Sequence, residues 1–422
     1  MDSLPHWAQL LRDRHPGGEI PTRSHPIPAW LEEEVRQVPL WYLIREAEGT
    51  RTQHPFLLLK EIHRQPQQWS DIVERWWPAV EEVAERIVER AVEQVVFTGS
   101  GSAFFTAVHD AFVFPRLAGL PASAVESFEL ANYFPSLDPA RALVVGHSGT
   151  GGSIETIEAM QTAKRLGCLT LTITNTESTG VERASDLHLT YVTRQECGPC
   201  ISVVSTRILL TTMLAAALGR RLGHRTAELP ALKAAVRTVG EVGAGFLLAE
   251  EDHVRALAHA FKSAATFFLV GSGPNYYSVR EGTLKIEEQA IIVAKAYRTG
   301  DFHHGALSLL GPSHVVIAVE AAEPANHRVI DALRAAREAG SPTVAVTWSG
   351  GPAGDELAHV ADHRLHFSGR LPELVVPIAI TVVFQLLGYY LGVERGYNPD
   401  TLRTDHLPNA RAWLTSFPLG TH

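Results

Sequence analysis

The residue types best suited to chemistry lie in one short stretch of glycines and hydroxyl side chains. Its hydroxyls belong to Ser148, Thr150, Ser153 and Thr156, with glycines at 149, 151 and 152 between them. The apolar run 142–145 predicts a buried strand, and 154–166 has the spacing of a helix. Because N–H groups at a helix start favour an anion and hydroxyls add neutral donors, the stretch predicts a phosphate-monoester site. A simple hydroxyl cap on the helix is the alternative.

Three charged residues further along the chain could perform proton transfer. Glu281, Lys285 and Glu288 occupy positions i, i+4 and i+7 of a predicted helix, so they share one face. A partly desolvated carboxylate beside a cation can shuttle a proton between neighbouring carbons. A solvent-exposed helix face with intrahelical ion pairs has the same pattern. The G-S-G turn before the triplet and His304 after it favour the chemical interpretation.

Composition bounds the class of protein. A length of 422 residues suggests two to three domains, and a net charge of −9 argues against nucleic acid as a partner. Three cysteines and an N-terminus without signal-peptide features predict a cytoplasmic protein. The apolar run Leu374–Val393 is nearly long enough to cross a membrane. Pro377 near its start and Gln385 in its middle favour a buried helix, so we expect no membrane partner.

The elements that must position these residues alternate between strand and helix, twice. Strand-like runs at 95–98 and 267–270 each lead into Gly-Ser-Gly, which indicates a duplicated α/β domain with parallel sheets. The second copy lacks the hydroxyl cluster. Within the leading helical region, Pro66 and Pro78 are expected to interrupt the helix. The predicted segments are an irregular N-terminal arm (1–54), a first domain with leading helices (55–240), a second domain (241–400) and a C-terminal tail (401–422).

Four motifs, in order and at the right spacing, carry a resemblance to a known family. The hydroxyl stretch is similar to S-x-S-G-x-T-x-D-T, and 203–207 (V-V-S-T-R) to V-A-S-T-K. Residues 281–288 resemble E-G-A-L-K-x-K-E, and 296–305 resemble A-Y-x-x-G-E-x-x-H-G. The chain is identified on these motifs as a member of the sugar isomerase (SIS) domain family. It is most similar to the isomerase half of glucosamine-6-phosphate synthase and to stand-alone deaminases and deglycases, over roughly residues 55–400.

The resemblance implies a fold and a set of site residues. The fold would be two tandem SIS domains, each a flavodoxin-like parallel sheet sandwiched by helices. Glu288 would be the base for enolisation, with Lys285 and Glu281 beside it, and His304 would open the sugar ring from across a homodimer interface. The substrate-binding residues would be Gly101, Ser102, Ser148, Thr150, Ser153, Thr156, Val203 and Ser205. The ligand would be a phosphorylated sugar or amino sugar.

Departures from the family pattern bear on the reaction. The family's amination enzyme has a C-terminal lysine that forms a Schiff base with the ketose, whereas no lysine follows Lys295 here. The chain also lacks a glutaminase domain. We therefore expect an isomerase or deaminase-type enzyme that acts on a 6-phosphosugar amine. A plain aldose–ketose isomerase and a non-catalytic phosphosugar sensor are the alternatives. Ala103 and Cys200 replace a Ser and a Glu of the family, so the resemblance does not identify the sugar.

Three further motifs resemble redox, metal-binding or dinucleotide-binding sites, but their context does not favour these functions. Cys197-Gly-Pro-Cys200 has the thioredoxin-type spacing, but it precedes a segment that the resemblance assigns to substrate, so we expect no redox role. Adjacent histidines such as His303 and His304 rarely bind one metal ion. The Gly-x-Gly turns at 99–101 and 271–273 lack the rest of a dinucleotide fingerprint. We expect neither a cofactor nor a metal.

Overall fold

The computed structural model describes residues 51–416, apart from positions 52, 194, 196, 323–324 and 352–353. The predicted arm therefore lies almost entirely outside the described residues, as do the last residues of the predicted tail. The described chain forms two five-stranded parallel sheets with helices on both faces. The predicted fold class is confirmed.

Strands and helices alternate along most of the chain. The strands are β1 (Gln94–Thr98), β2 (Ala122–Ala124), β3 (Ala142–Ser148), β4 (Leu169–Thr174), β5 (Leu187–Thr190), β6 (Thr266–Gly271), β7 (Ala294–Arg298), β8 (His314–Val319), β9 (Thr343–Trp348) and β10 (His363–Phe367). The helices are α1 (Leu57–Glu89), α2 (Ser102–Leu117), α3 (Ser127–Asn132), α4 (Ile154–Leu166), α5 (Gly180–Arg183), α6 (Ser202–Leu222), α7 (Leu229–Phe261), α8 (Asn275–Ala290), α9 (Thr299–Gly305), α10 (Asn326–Glu338), α11 (Gly354–Val360), α12 (Val376–Glu394) and α13 (Leu407–Ser416).

The two sheets have the same topology. Their strand orders are β2-β1-β3-β4-β5 and β7-β6-β8-β9-β10, and all pairs are parallel. In each sheet the chain first moves to one side of the starting strand and then returns to the other. The reversal leaves a crevice at the carboxyl ends of the two central strands, where ligands bind in such folds. In the first sheet this crevice lies between β1 and β3.

A shared layer of helices lies between the sheets. Helices α1, α2, α6, α7, α8 and α12 pack on one another there. One continuous apolar cluster includes Phe97 of β1, Trp69 of α1 and Phe267 of β6, so it joins the inner faces of both sheets. Smaller clusters lie under α4 on the first sheet and under α10 on the second. Residues from the two halves are therefore held in fixed contact.

Two helices, α6 and α12, are long and apolar enough to cross a membrane by length and composition. Both lie inside the protein, where every residue of the α6 apolar window and 94% of the α12 window are buried. Gln385 of α12 receives a hydrogen bond from Gln65 of α1 (2.6 Å). The prediction of a buried helix at this position is confirmed.

The first helix differs from expectation. Pro66 and Pro78 both lie inside α1, which runs unbroken for 33 residues, so the predicted interruption is wrong. A proline inside a helix removes one backbone hydrogen bond. Here the buried face of α1, which includes Trp69 and Val80, packs against α6 and α7 and offsets that loss. Helix α7 spans position 240, the predicted boundary between the domains.

Candidate functional site

The hydroxyl loop, residues 148–153, follows β3 and ends where α4 begins, at the crevice of the first sheet. Gly151 has a φ of +70°, and a Cβ there would lie 2.4 Å from Oγ1 of Thr179. Both the backbone and the neighbour therefore require glycine. The N–H of Val181 donates to the Gly151 carbonyl (3.2 Å), which anchors the loop to the segment after β4.

The hydroxyls of this loop organise its own backbone. Ser148 Oγ accepts from the Gly151 N–H (2.9 Å), and Thr150 Oγ1 accepts from the Gly152 N–H (3.2 Å). A hydroxyl that accepts one bond can still donate its proton to an anion. Ser153 precedes α4, but its side chain makes no capping bond to the helix. That geometry argues against the cap alternative and fits a cluster of donors at a helix N-terminus.

Thr156 lies deeper in the crevice. Its Oγ1 donates to Ser153 Oγ (3.3 Å) and shares a hydrogen bond with Ser127 Oγ (3.1 Å). Ser127 in turn shares one with Thr98 at the end of β1 (3.1 Å). This row of hydroxyls links the end of β1 to the start of α4. The structure thus brings four predicted hydroxyls together, with Thr156 as a buried support rather than a surface group.

The charged triplet lies on α8 and faces the protein interior. The Nζ of Lys285 is 2.5 Å from Glu288 Oε2 and 3.4 Å from Glu281 Oε1. The Lys285 side chain is fully buried, and that of Glu288 is 18% exposed. The alternative of a solvent-exposed helix face is therefore wrong. Glu281 also accepts a hydrogen bond from Ser102 Oγ (3.0 Å), so the start of α2 meets a helix from the other half of the chain.

Burial and charge set the protonation of this triplet. Burial raises the pKa of Glu288, and the nearby Lys285 only partly offsets that rise. Burial alone would lower the pKa of Lys285, but the negative charges of Glu288 and Glu281 raise it above its ordinary value. The lysine is therefore a fixed cation, and Glu288 is a carboxylate whose proton affinity is higher than usual. Those properties suit a base beside an electrostatic stabiliser.

The start of α6 borders the hydroxyl loop. Around the position that a Cβ at Gly149 would take, Arg207 Nη1 lies at 3.7 Å, Val203 Cγ2 at 3.8 Å and Cys200 Sγ at 4.0 Å. Ser205 behaves differently, because its hydroxyl donates to Gln65 (2.7 Å) and accepts from the indole of Trp69 (2.9 Å). Val203 thus lines the loop, and the Ser205 side chain is engaged with α1.

Two other predicted residues are exposed. Gly101 precedes α2 with a φ of +57°, a conformation that glycine adopts without strain. His304 lies on the short helix α9 and is exposed. Among the described residues, no hydrogen bond or ion pair joins His304 to the charged triplet. Its role stays a prediction that requires a second chain.

A buried histidine–aspartate cluster beneath the loop was not predicted. Asp110 on α2 contacts His109 Nδ1 and His147 Nε2, both at 2.8 Å. Burial would raise the pKa of Asp110, but these hydrogen bonds outweigh it and lower that pKa. His147 immediately precedes Ser148, which was the available signal. Its partner lies 37 positions earlier, so spacing could not reveal the pair.

At the corresponding edge of the second sheet, carboxylates of the chain itself accept hydrogen bonds from backbone N–H groups. Glu320, at the end of β8, accepts from the Trp348 N–H (3.2 Å). Glu373 accepts from the Ala322 N–H (2.9 Å). Negative side chains at these backbone donors disfavour a phosphate there. This arrangement agrees with the absence of a hydroxyl cluster from the second copy.

The cysteine pair and the adjacent histidines contact neighbouring protein groups. The cysteines at 197 and 200 are free thiols, and Cys197 donates to Glu61 Oε2 (3.3 Å). His303 donates from Nε2 to the carbonyl of Arg328 (3.3 Å). Across the part of the chain that the structure describes, no group of three or more His, Cys, Asp or Glu has the arrangement of a metal site.

Comparisons with known proteins agree with this fold. The chain is 28% identical over 379 residues to glutamine–fructose-6-phosphate aminotransferase [isomerizing] of Thermococcus kodakarensis, covering 88% of this chain but 60% of that protein. It therefore spans about six-tenths of the length of that relative. The C-terminal domain of glucosamine-fructose-6-phosphate aminotransferase from Francisella tularensis superposes with a TM-score of 0.75 at 17% identity, covering 84% of this chain and 100% of that one.

A second solved structure has the same fold. Glucosamine-6-phosphate deaminase from Thermotoga maritima gives a TM-score of 0.63 at 21% identity, over 81% of this chain and 96% of that one. The model of the SIS domain matches residues 90–218 and 260–394, which together make up more than half of the sequence. These two matches contain β1 to β5 and β6 to β10, respectively. The chain belongs to the SIS domain family.

Proposed function

We propose that this protein is an enzyme that acts on a 6-phosphosugar amine, by ring opening and proton transfer at C2. The observation that carries the proposal is the hydrogen bond from Ser102 to Glu281. It joins the crevice that contains the hydroxyl loop to the buried triplet of α8. A sugar whose phosphate lies at the loop would extend toward Lys285 and Glu288.

The triplet supplies the groups that enolisation needs. Glu288, with its raised pKa, moves a proton between C1 and C2, which turns the carbon that bears nitrogen into an imine. Water hydrolyses that imine, so the amine leaves and a carbonyl remains. Lys285 stabilises the negative charge that develops on the enolate oxygen, because it is a fixed cation in a dry site. Glu281 holds Lys285 from the other side (3.4 Å), and Ser102 orients Glu281.

The nature of Lys285 favours a substrate that already bears nitrogen. An amine attacks a carbonyl only when it is unprotonated, and two carboxylates keep Lys285 protonated. No lysine follows Lys295 in the sequence. An amino-sugar 6-phosphate or a fructosamine 6-phosphate needs no imine from the enzyme. Deamination or deglycation is therefore the reaction that we propose.

A substrate panel tests this proposal. The purified protein is incubated with amino-sugar 6-phosphates, fructosamine 6-phosphates and fructose 6-phosphate, while amine release, sugar-phosphate release and proton exchange with solvent are followed. The exchanging proton is at C2 of an amino sugar and at C1 of a fructosamine or of fructose 6-phosphate. We expect amine release together with this exchange. Exchange at C1 of fructose 6-phosphate but no amine release from any member would establish a plain isomerase instead. Phosphosugar binding without exchange would establish a sensor.

Replacing Ser148 and Thr150 together with alanine should weaken binding of 6-phosphosugars. Each lost hydrogen bond to a charged group costs about 1.5–3 kcal/mol, so affinity should fall at least about tenfold. Isothermal titration calorimetry with fructose 6-phosphate measures the change. Ser123→Ala, an exposed serine on β2, is the control and should bind as the unaltered protein does. Unchanged affinity in a folded double variant would show that the phosphate does not bind at this loop.

Mixing Glu288→Gln with His304→Ala subunits should restore activity that neither variant has alone. His304 is exposed in the single chain, which supports a role across a two-fold interface. Half of the randomly mixed dimers are hybrids, and each has one intact site, so about a quarter of full activity should return. Activity is measured after co-expression and compared with each homodimer. If His304 serves its own subunit, hybrids contain no intact site and nothing returns.

A further inference from the structure

Arg207 of α6 has a buried charge that its surroundings do not balance. The residue is 1% exposed, and its Nε and Nη2 atoms are buried without a hydrogen-bond partner among the described residues. Nor does the described part of the chain give its guanidinium an ion pair with any carboxylate. A buried guanidinium without an anion is costly, because it loses hydration and gains nothing in return.

Four side chains that interact electrostatically with this guanidinium are neutral near pH 7. They are His147 of β3, Tyr191 after β5, Cys200 before α6 and Tyr277 of α8. Burial lowers the pKa of His147 and raises the pKa of Cys200, so the imidazole and the thiol are uncharged. The carboxylate of Asp110, which contacts His147, also contacts His109, so it is already engaged by two histidines.

The guanidinium approaches the hydroxyl loop at Gly149. Its Nη1 lies 3.7 Å from the point that a Cβ would occupy there, and glycine leaves that space open. The loop itself contains hydroxyls and backbone N–H groups but no cation. A phosphate at the loop would bring a negative charge to this buried guanidinium.

We propose that Arg207 is a phosphate-binding residue, whose guanidinium pairs with the phosphate oxygen of the substrate on the Gly149 side of the loop. This inference rests on the proposed function for the location of the phosphate. It adds a cation that the loop sequence lacks. Arginine suits the role because its planar fork binds phosphate through two hydrogen bonds.

Phosphate binding and stability of Arg207→Met test the inference. Affinity for inorganic phosphate and for fructose 6-phosphate should fall about 10–100-fold, as expected for lost charge-assisted hydrogen bonds. Arg207→Lys, which keeps the charge, should recover part of that loss. Without phosphate, Arg207→Met should melt no lower than the unaltered protein, and added phosphate should no longer raise its melting temperature. Arg220→Met, on the exposed end of the same helix, should retain the full response.

The outcomes separate a binding role from a structural one. Unchanged phosphate affinity in Arg207→Met would overturn the inference, as would a lower melting temperature with an intact phosphate response. If Arg207→Met does not fold, NMR of the unaltered protein still tests the inference. Its Arg207 Nε–H signal, assigned through Arg207→Lys, should shift on addition of phosphate, and a signal that does not move would also overturn the inference. Arg207-dependent binding of inorganic phosphate without binding of any 6-phosphosugar would leave the inference standing and refute the proposed function.

Discussion

Glu288→Gln should slow exchange of the C2 proton of an amino-sugar 6-phosphate by about 10²–10⁴-fold, the range expected when a general base is removed. Glutamine keeps the size of the side chain and a hydrogen-bond acceptor for Lys285, but it cannot take a proton. Affinity for the phosphosugar should change little, because the hydroxyl loop lies on the other sheet. Exchange is followed by proton NMR in D₂O, and affinity by calorimetry.

Glu287→Gln is the matched control for this variant. Glu287 is the adjacent residue and accepts a hydrogen bond from the Ala294 N–H, which glutamine can still receive. We expect its exchange rate to stay within a few-fold of the unaltered protein. In the unaltered protein, the acid limb of the rate should lie at a higher pH than an ordinary glutamate gives, because burial raises the pKa of Glu288. Undiminished exchange in Glu288→Gln would show that Glu288 is not the base.

Lys285→Met should lower the free energy of unfolding by about 3–5 kcal/mol, as happens when one partner of a buried ion pair is removed. The variant leaves Glu281 and Glu288 as two carboxylates with no cation between them, and Glu281 is almost fully buried. Chemical denaturation followed by circular dichroism measures the loss. Catalysis should be lost as well, since the cation that stabilises the enolate is gone.

Two further variants test the cause of that instability. Lys295→Met makes the same substitution at an exposed lysine of β7 and should change stability by no more than about 0.5 kcal/mol. Adding Glu281→Gln to Lys285→Met should recover part of the lost stability, because one unpaired charge is removed while the acceptor for Ser102 is kept. A Lys285→Met protein as stable as the unaltered one would show that the triplet is not electrostatically coupled.

The local features of the site could be predicted from sequence because they depend on neighbouring residues. A strand, a glycine-rich turn and a helix start follow one another within 15 positions at the hydroxyl loop, and hydroxyls at these places predict donors for an anion. The spacing of Glu281, Lys285 and Glu288 likewise fixes a shared helix face. The repeated Gly-Ser-Gly turns, each at the end of the first strand of a sheet, predicted the duplication.

Burial and long-range pairing were decided only by the tertiary structure. The helical spacing of Lys285 fits a solvated face or an interior one, and only the packing of α8 on α12 and α2 makes it interior. The continuity of α1 through two prolines depends on the apolar face that it buries against α6 and α7. No local pattern contains that information.

The contacts that define the site join residues far apart in the chain. Ser102 and Glu281 are separated by 179 positions, and Asp110 and His147 by 37. Arg207 is an ordinary arginine in the sequence and becomes a buried, unbalanced cation only where α6 meets the hydroxyl loop. The sequence by itself determined the residue types, the sheets and the loop. The shared helical layer decided which charges are buried together, because the electrostatic environment of a side chain depends on the elements that surround it in space.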